Sequence, residues 1–335
     1  MKRILLTTTA LTMSAGIAAA DVSVGGAAKL GFNDTDATKA GDKLGVYSDV
    51  DVTFAMSSTL DNGMAASVTV DVDGDTALNA QDSYALALTS DALSVSYGSV
   101  EHAAITAWSS GGDMRTDGWF NQNNDGGNVL KADVSLGGLA VSASAAIDQG
   151  VGGVGALNAA PGAVSIAVSG SLGGASYVIA NEGSRMGVSA TTAVGGSTVT
   201  SAYSTDGTET STGVKIAYPL GAVTTTVSYS LESKTGDTWD IAAAYSAGGV
   251  TATFKTSEAD NNSLEGTIAV SDNVAVAAGA TDSFDDIYLS VTNTLGGGAT
   301  IMASYAVDGA NNDAADEVGG PDLQEGLTVE LKFAF

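Results

Sequence analysis

The sequence predicts an all-β fold, a transmembrane antiparallel up-and-down β-barrel. Three observations carry this prediction: amphipathic strands recur from end to end, short glycine-rich turns separate them, and the last strand ends on a phenylalanine. Alternating strands divided by turn residues are the sequence pattern of outer-membrane barrels. After residue 20, no stretch approaches the roughly 18 consecutive apolar residues that a membrane-spanning helix needs.

The first twenty residues have the composition of a secretory signal. A basic pair, Lys2-Arg3, precedes an apolar stretch that runs to Ile17, and three alanines form an A-x-A cleavage site before Asp21. We therefore expect residues 1–20 to be a removed signal peptide. Residues 21–335 are then expected to form a single barrel domain.

Charge and cysteine content limit the functions open to the chain. It carries 38 acidic and 12 basic side chains, a formal net charge of −26. Nucleic acid is excluded as a partner, because phosphate binding needs a basic surface. Cysteine is absent, so no disulfide framework supports this exported chain. The lumen and the outer loops of a barrel are places where such an excess of acid can reside.

Turns and loops alternate along the chain. Short turns such as Asp61-Asn62-Gly63, Gly137-Gly138 and Gly195-Gly196 contain residues that adopt the positive φ of tight hairpins. Between them lie longer, acidic segments, at about 33–45, 101–126, 148–160 and 308–322. Counting hairpins gives roughly 20 strands, an even number that places both termini on the turn side.

Within the strands, apolar and polar residues alternate. Val50, Val52 and Phe54 oppose Asp49 and Asp51, and the apolar set is predicted to face lipid. The last strand, Leu327 to Phe335, alternates in the same way. Aromatic residues on the apolar faces are predicted to form two interfacial girdles, one towards the loops and one towards the turns: Tyr97, Tyr203, Tyr229, Phe254 and Tyr305, and Tyr218 and Tyr245.

Several of these stretches resemble the general porins of Gram-negative bacteria, of the alphaproteobacterial (Rhodobacter) type. Residues 48–64, SDVDVTFAMSSTLDNGM, resemble the second-strand signature of that family, and residues 21–32 resemble its first strand. Residues 93–98 resemble the strand that leads into its constriction loop. Residues 331–335, LKFAF, resemble its assembly signal, with Phe333 and Phe335 as the signal residues.

The resemblance implies a homotrimer of barrels with about 16 strands each, through which small hydrophilic solutes diffuse. It further implies that the loop from Glu101 to Gly126 folds inward and constricts the pore. The constriction residues would then be Glu101, Asp113, Arg115, Asp117 and Asp125.

The alternation of the strands assigns charged residues to the pore wall. Asp49 and Asp51 depart from the resemblance, since the family pattern there is often basic. Carboxylates in a narrow channel concentrate cations, so we expect cation selectivity. The predicted wall residues are Asp49, Asp51, Lys131, Asp133, Lys215, Asp240, Lys255 and Glu330.

No cofactor is expected, although the acidic outer loops could hold Ca²⁺ or another divalent cation. Asp71, Asp73, Asp75 and Asp82 have part of the spacing of a calcium loop, but the glycine is misplaced and no glutamate closes the site. An acidic outer hairpin is the simpler interpretation. The expected location is the cell outer membrane, with membrane lipid, lipopolysaccharide and the barrel-assembly machinery as partners.

Three alternatives remain at this point. A hydrolase would have to use His102, the only histidine, and no nucleophile motif surrounds any serine, so we expect no enzyme. A substrate-specific channel, for sugars for example, is the runner-up, because Trp108 and Trp119 lie near the asparagine-rich residues 121–126. A secreted β-rich adhesin or surface protein would share the composition but has no need of the terminal phenylalanine.

Overall fold

A computed structural model describes residues 21–34, 45–73, 83–119, 128–149, 155–157, 164–234, 236–259, 261–309 and 317–335. The expected signal peptide, residues 1–20, lies outside the described residues. So do Asp75, Asp82 and Asp125 of the predicted sites.

Strands account for nearly all of the regular structure. The first eleven are β1 (Asp21–Asn33), β2 (Val46–Thr59), β3 (Ala65–Asp73), β4 (Tyr84–Thr89), β5 (Leu93–Gly98), β6 (Asn128–Leu136), β7 (Leu139–Gln149), β8 (Gly155–Leu157), β9 (Val164–Leu172), β10 (Ala175–Glu182) and β11 (Arg185–Val194). The next seven are β12 (Ser197–Thr205), β13 (Thr210–Leu220), β14 (Val223–Glu232), β15 (Thr238–Ala247), β16 (Val250–Ser257), β17 (Ser263–Ala269) and β18 (Val274–Thr281). The last five are β19 (Asp286–Gly296), β20 (Ala299–Val307), β21 (Glu317–Val318), β22 (Leu323–Gln324) and β23 (Gly326–Ala334).

Among the described residues, twenty strands pair edge to edge in one closed antiparallel ring. Each strand pairs with the next in sequence, β7 passes to β9, β20 passes to β23, and β23 pairs with β1. The short β8 pairs only with the end of β7. The barrel and the hairpin count of about 20 are thus confirmed. The sixteen strands that the resemblance implied are too few, because hairpins of short strands recur even through residues 175–194.

Short turns close one end of the barrel and longer connections the other. The turns at Gly137-Gly138 and Gly195-Gly196 have positive φ at both glycines, the backbone that two-residue hairpins require. β1 begins and β23 ends at this same turn end, in agreement with the even number of strands. Two short helical segments lie on the other side: α1 (Ala103–Ala107) and a single 3₁₀ turn (Asp282–Phe284).

The two faces of the barrel wall differ as the alternation predicts. Val50, Phe54 and Met56 of β2 are exposed on the outer face, and Asp49 and Asp51 alternate with them on the inner face. The girdle residues Tyr203, Tyr218, Tyr229, Tyr245, Phe254 and Tyr305 are also exposed on the outside. An apolar exterior around a polar interior suits a wall that separates lipid from an aqueous lumen.

The last strand completes the ring through backbone hydrogen bonds. β23 pairs with β1 in a register that sets Leu331 opposite Leu30. The terminal Phe335 accepts from Gly26 N–H at 2.8 Å and donates to Gly26 O at 3.0 Å. Phe333 and Phe335 remain exposed on the outer surface. Closure leaves none of the twenty described ring strands with a free edge, which a membrane could not solvate.

Apolar packing inside the barrel is limited to two small clusters among the described residues. One contains Ala103, Ala104, Trp119, Ala167 and Ala180. The other contains Tyr288, Ala306, Val318 and Leu323. In each, residues from a loop pack against inward residues of the wall, so both clusters mark places where a loop enters the barrel.

Within the part of the chain that the structure describes, no helix has the length and apolar character needed to span a membrane.

Val227 tests the assignment of the two faces. It lies on the outer face of β14, between Ile216 and Ile241 of the neighbouring strands. We expect Val227→Arg to destabilise the barrel by about 2–4 kcal/mol, because it places a charge in the hydrocarbon. The measurement is urea unfolding of the protein in lipid vesicles. The matched control is Thr226→Arg, which points into the lumen and should be tolerated; equal losses would contradict the assignment.

Candidate functional site

The loop between β5 and β6 enters the barrel at its loop end. α1 lies against the wall, where Ser144 Oγ contacts His102 Nδ1 at 2.9 Å and accepts from the N–H of Ala103 at 3.0 Å. Ser165 Oγ accepts from the N–H of Ala104 at 2.8 Å. These hydroxyls, on β7 and β9, satisfy backbone groups at the start of the helix that have no partner within it.

Small wall residues allow the middle of the loop to lie flat. The Trp108 ring covers Gly187 so closely that a Cβ there would overlap it. Gly111 lies directly on Gly213, and a Cβ at Gly213 would come within 2.9 Å of the Met114 side chain. Glycines at these wall positions are therefore needed for the close approach of the loop.

Beyond Met114 the loop turns back along the wall. Thr238 Oγ1 donates to Asp113 O at 2.5 Å, and the N–H of Arg115 donates to Glu232 Oε1 at 3.2 Å. Thr116 is buried, where its Oγ1 lies 2.7 Å from Ser204 Oγ. Its N–H donates to Ser211 Oγ at 3.1 Å. The described part of the loop, residues 99–119, is thus fixed to the wall from β7 to β15.

The predicted constriction residues take different positions. Glu101 is exposed at the start of the loop, and Asp113 is exposed near its tip. Arg115 is also exposed, with its guanidinium 4.0 Å from Glu258. Asp117 points back into the loop, where it accepts from Trp108 Nε1 at 3.2 Å. The structure therefore brings Asp113 and Arg115 together at the loop tip and leaves Asp117 within the loop.

Burial shifts the pKa of two residues of the loop, Asp117 and His102. Loss of solvent raises the pKa of Asp117, although hydrogen bonds from Ser110 and Trp108 act in the opposite direction. Burial also lowers the pKa of His102, and the nearby Lys131 ammonium lowers it further. His102 is therefore a neutral structural residue at neutral pH.

The wall between β1 and β2 carries a mixed charge cluster. Lys29 Nζ lies 2.8 Å from Asp49, so this acid is neutralised locally. Glu330 is buried, with Lys332 Nζ at 3.0 Å and the Tyr47 hydroxyl donating to it at 2.9 Å. Asp51 lies beside these groups and lines a cavity of about 220 Å³ with Lys29 and Lys332.

Predicted wall residues elsewhere also face the interior. Lys131 Nζ lies 3.8 Å from Asp133 and donates to Thr106 of the loop at 3.1 Å, so it helps to hold the loop. Asp240 accepts from Ser228. Asp240 and Lys255 line a cavity of about 530 Å³. Lys215 lies opposite Ser228 on the same face.

The candidate divalent site is only partly described. Asp71 lies on β3, where it accepts from Thr53 at 2.6 Å and from Ser83 at 3.1 Å, so it is part of the barrel wall. The backbone of Asp73 pairs with Asp51. No group of three acidic or histidine side chains within metal-binding reach occurs among the described residues.

Sequence reasoning missed the residues that seat the loop. They share a small side chain and an inward position under the loop: Ser144, Ser165, Gly187, Ser204, Ser211, Gly213, Ser228 and Thr238. In the sequence, these residues are marked only by being small and uncharged at inward strand positions. That signal is weak, because serine and glycine are also common at exposed inner-wall positions.

A closed barrel with an apolar exterior, a charged interior and a loop fixed inside it defines a membrane channel. The sequence profile of the Gram-negative porins matches residues 7–316, and the chain belongs to that family. It is therefore a diffusion channel of the bacterial outer membrane.

Solved porin structures are similar over nearly the whole chain. A triply substituted variant of the Rh. blastica porin is 14% identical, with 94% of this chain and 100% of that one covered and a TM-score of 0.42. A porin refined at 1.8 Å is 17% identical, with the same coverage and a TM-score of 0.40. The comparison with curated proteins gave no match.

Ser144 tests how the loop is held. We expect Ser144→Ala to weaken docking by about 1–3 kcal/mol, because His102 Nδ1 and the Ala103 N–H both lose a buried partner. The measurement is open-channel current noise in a planar bilayer, which should rise as the loop moves. The matched control is Ser171→Ala, which removes a hydroxyl from the inward face of β9 near the turn end. Quiet currents from Ser144→Ala would contradict the docking role.

His102 gives the loop a defined pH dependence. Because its folded pKa is depressed, His102 stabilises docking above the unfolded pKa of about 6.5, and this stability is lost as pH falls towards the folded pKa. As the pH is lowered from 7, we expect tryptophan emission, to which Trp108 and Trp119 contribute, to shift to the red. His102→Gln should show a smaller shift; since Asp117 is common to both proteins, identical profiles would exclude His102 as the cause.

Proposed function

We propose that this outer-membrane channel carries ions and small hydrophilic solutes by passive diffusion, with a preference for cations. The observation that carries the proposal is the excess of carboxylates over cations on the inner face of the described wall. The Lys29 ammonium forms an ion pair with Asp49. The Lys131 ammonium lies near Asp133 and donates a hydrogen bond to Thr106. The inner wall carries four further cations, Lys215, Lys255, Lys332 and Arg185. They are outnumbered by its further carboxylates, paired or not: Asp51, Asp71, Glu182, Glu232, Asp240, Glu265, Asp286 and Glu330.

Loop 99–119 supports a constricted path. It occupies the inside of about half the ring and places Asp113 and Arg115 at its exposed tip, facing Glu258. Fixed charges at a narrow place act strongly on passing ions, since water screens them less there. We propose that the constriction extends over residues 101–126, with Asp125 outside the described part.

A sugar-specific channel has less support. Trp119 is buried, and Trp108 packs edge-on against it at a ring-centroid distance of 5.4 Å. The Trp108 indole N–H is engaged with Asp117. Trp119 therefore has no exposed face on which a sugar could stack, and the half-buried Trp108 ring lies against the wall at Gly187. An enzymatic role and a secreted adhesin gain no support from the family match.

Assembly and processing belong to the same proposal. We propose removal of residues 1–20 on export, recognition of the terminal Phe333 and Phe335 by the barrel-assembly machinery, and a homotrimer in a membrane containing lipopolysaccharide. Divalent cations bound by the acidic outer loops, with Asp71, Asp73, Asp75 and Asp82 as the candidates, remain a prediction of the sequence.

The reversal potential in a KCl gradient tests the selectivity. We expect a cation-selective value for the protein and a clear reduction for Asp51→Asn/Asp240→Asn, because both carboxylates line lumen cavities. The matched control is Asp61→Asn in an exposed turn, which should leave the value unchanged. An anion-selective potential of the unsubstituted protein would disprove the charge argument while keeping the channel.

A further inference from the structure

A second segment enters the barrel beside β20. The two-residue strands β21 and β22 pair with each other and not with the barrel, forming a hairpin over residues 317–325, which we call the inner hairpin. Val318 and Leu323, which face each other across it, are buried against Tyr288 and Ala306. Two apolar anchors therefore hold the inner hairpin to the inside of the wall.

Polar contacts fix its tip to β17 and β19. Glu265 accepts from the Tyr288 hydroxyl at 2.8 Å and from the N–H of Gly320 at 2.8 Å. Gly319 has a φ of +73° and lies so close to the Tyr288 ring that a Cβ would overlap it. The sequence thus supplies glycine where both the backbone and the close approach require it.

The exit of the inner hairpin is fixed to β1. Asn33 is buried, where its Nδ2 donates to Glu325 O and to Thr328 Oγ1, both at 2.8 Å. Asp34 Oδ1 accepts from the N–H of Leu327 at 2.7 Å. Held at its tip and at its exit, the inner hairpin has a defined position and is not a loose outer loop.

The inner hairpin and loop 99–119 both attach to several wall strands near their loop ends. Ser165 and Ser211, which hold the loop, are the second residues of β9 and β13 from the loop end. Glu265 and Tyr288, which hold the hairpin, are the third residues of β17 and β19. One segment covers the wall from β7 to β15 and the other covers β17 to β20.

The exposed side of the inner hairpin borders open space. Pro321 lines a cavity of about 370 Å³ with Lys255 and Glu265. It also lines a second cavity of about 380 Å³ with Lys29 and Glu330. Solutes that pass through either space therefore pass the tip of the hairpin.

The number of strands gives a physical reason for two segments. Barrel diameter grows roughly linearly with strand number, so a ring of twenty strands encloses a wider lumen than the sixteen that the resemblance implied. A single loop along part of the wall would leave the lumen wide beside the remaining strands.

We propose that the inner hairpin is a second constriction element, which limits solute size from the sector of wall next to the one that loop 99–119 covers. This rests on the proposed function, since a size limit matters only in a diffusion channel. The inner hairpin sets the free cross-section on its side. The carboxylates of Glu265 and Glu330 set the charge on that side of the pore.

The test is the single-channel conductance of two variants in KCl. Val318→Ser/Leu323→Ser removes both apolar anchors without changing charge, and we expect conductance to rise by about 1.5-fold because the pore widens on that side. Pro321→Trp enlarges the exposed tip and should lower conductance. Leu172→Ser/Val270→Ser, the same substitutions at exposed turn-end positions, is the matched control.

Heat-modifiable mobility in detergent gels first establishes that each variant is a folded barrel. If the unsubstituted protein and the control conduct but neither variant changes conductance, the second constriction is wrong and the channel stands. If Val318→Ser/Leu323→Ser does not fold, Pro321→Trp alone decides. If the unsubstituted folded protein does not conduct, the proposed function fails, and this inference fails with it.

Discussion

Closure of the ring by β1 and β23 is the constraint on which the rest of the structure depends. In lipid, every backbone N–H and C=O must find a partner within the protein. The pairing of Gly26 with Phe335, and of Leu30 with Leu331, joins the first and last strands of the ring, so that neither keeps a free edge. The lipid-facing side of the wall can then be apolar, with the charged wall residues on its inner face.

Once the wall is closed, it encloses a wide lumen that inward-folded segments partly fill. Apolar packing, which holds most folded domains together, is small among the described residues of the interior, and both of its clusters lie where a loop enters. The wall makes room for loop 99–119 with glycine and binds it with serine and threonine hydroxyls. The inner hairpin uses a different solution, a buried Val318–Leu323 pair and one carboxylate, Glu265, that accepts two hydrogen bonds. Charged wall residues remain free to act on solutes between these segments.

Much of this could be predicted from the sequence. The period-2 alternation assigns Val50 and Asp49 to opposite faces, and the paired glycines locate the turns, because both signals are local. The number of strands followed from counting hairpins, and the resemblance gave too few because the strands of this chain are short and numerous.

The inner packing could not be predicted in the same way. Val318 and Leu323 are two isolated apolar residues in an acidic segment, and nothing in a strand period indicates that they fold back onto Tyr288. Similarly, Asp117 has the composition of a pore residue, yet its carboxylate turns to Trp108. Such contacts depend on which wall residues the closed ring brings opposite each loop, and that is a long-range property of the barrel.

The most direct measurement is the addition of purified protein to a planar bilayer in KCl. The account predicts stepwise, uniform increases in conductance, because each closed barrel adds an open path of fixed cross-section. Protein that shows heat-modifiable mobility, and is therefore folded as a barrel, but produces no steps would contradict the claim that the two inward segments leave a continuous channel.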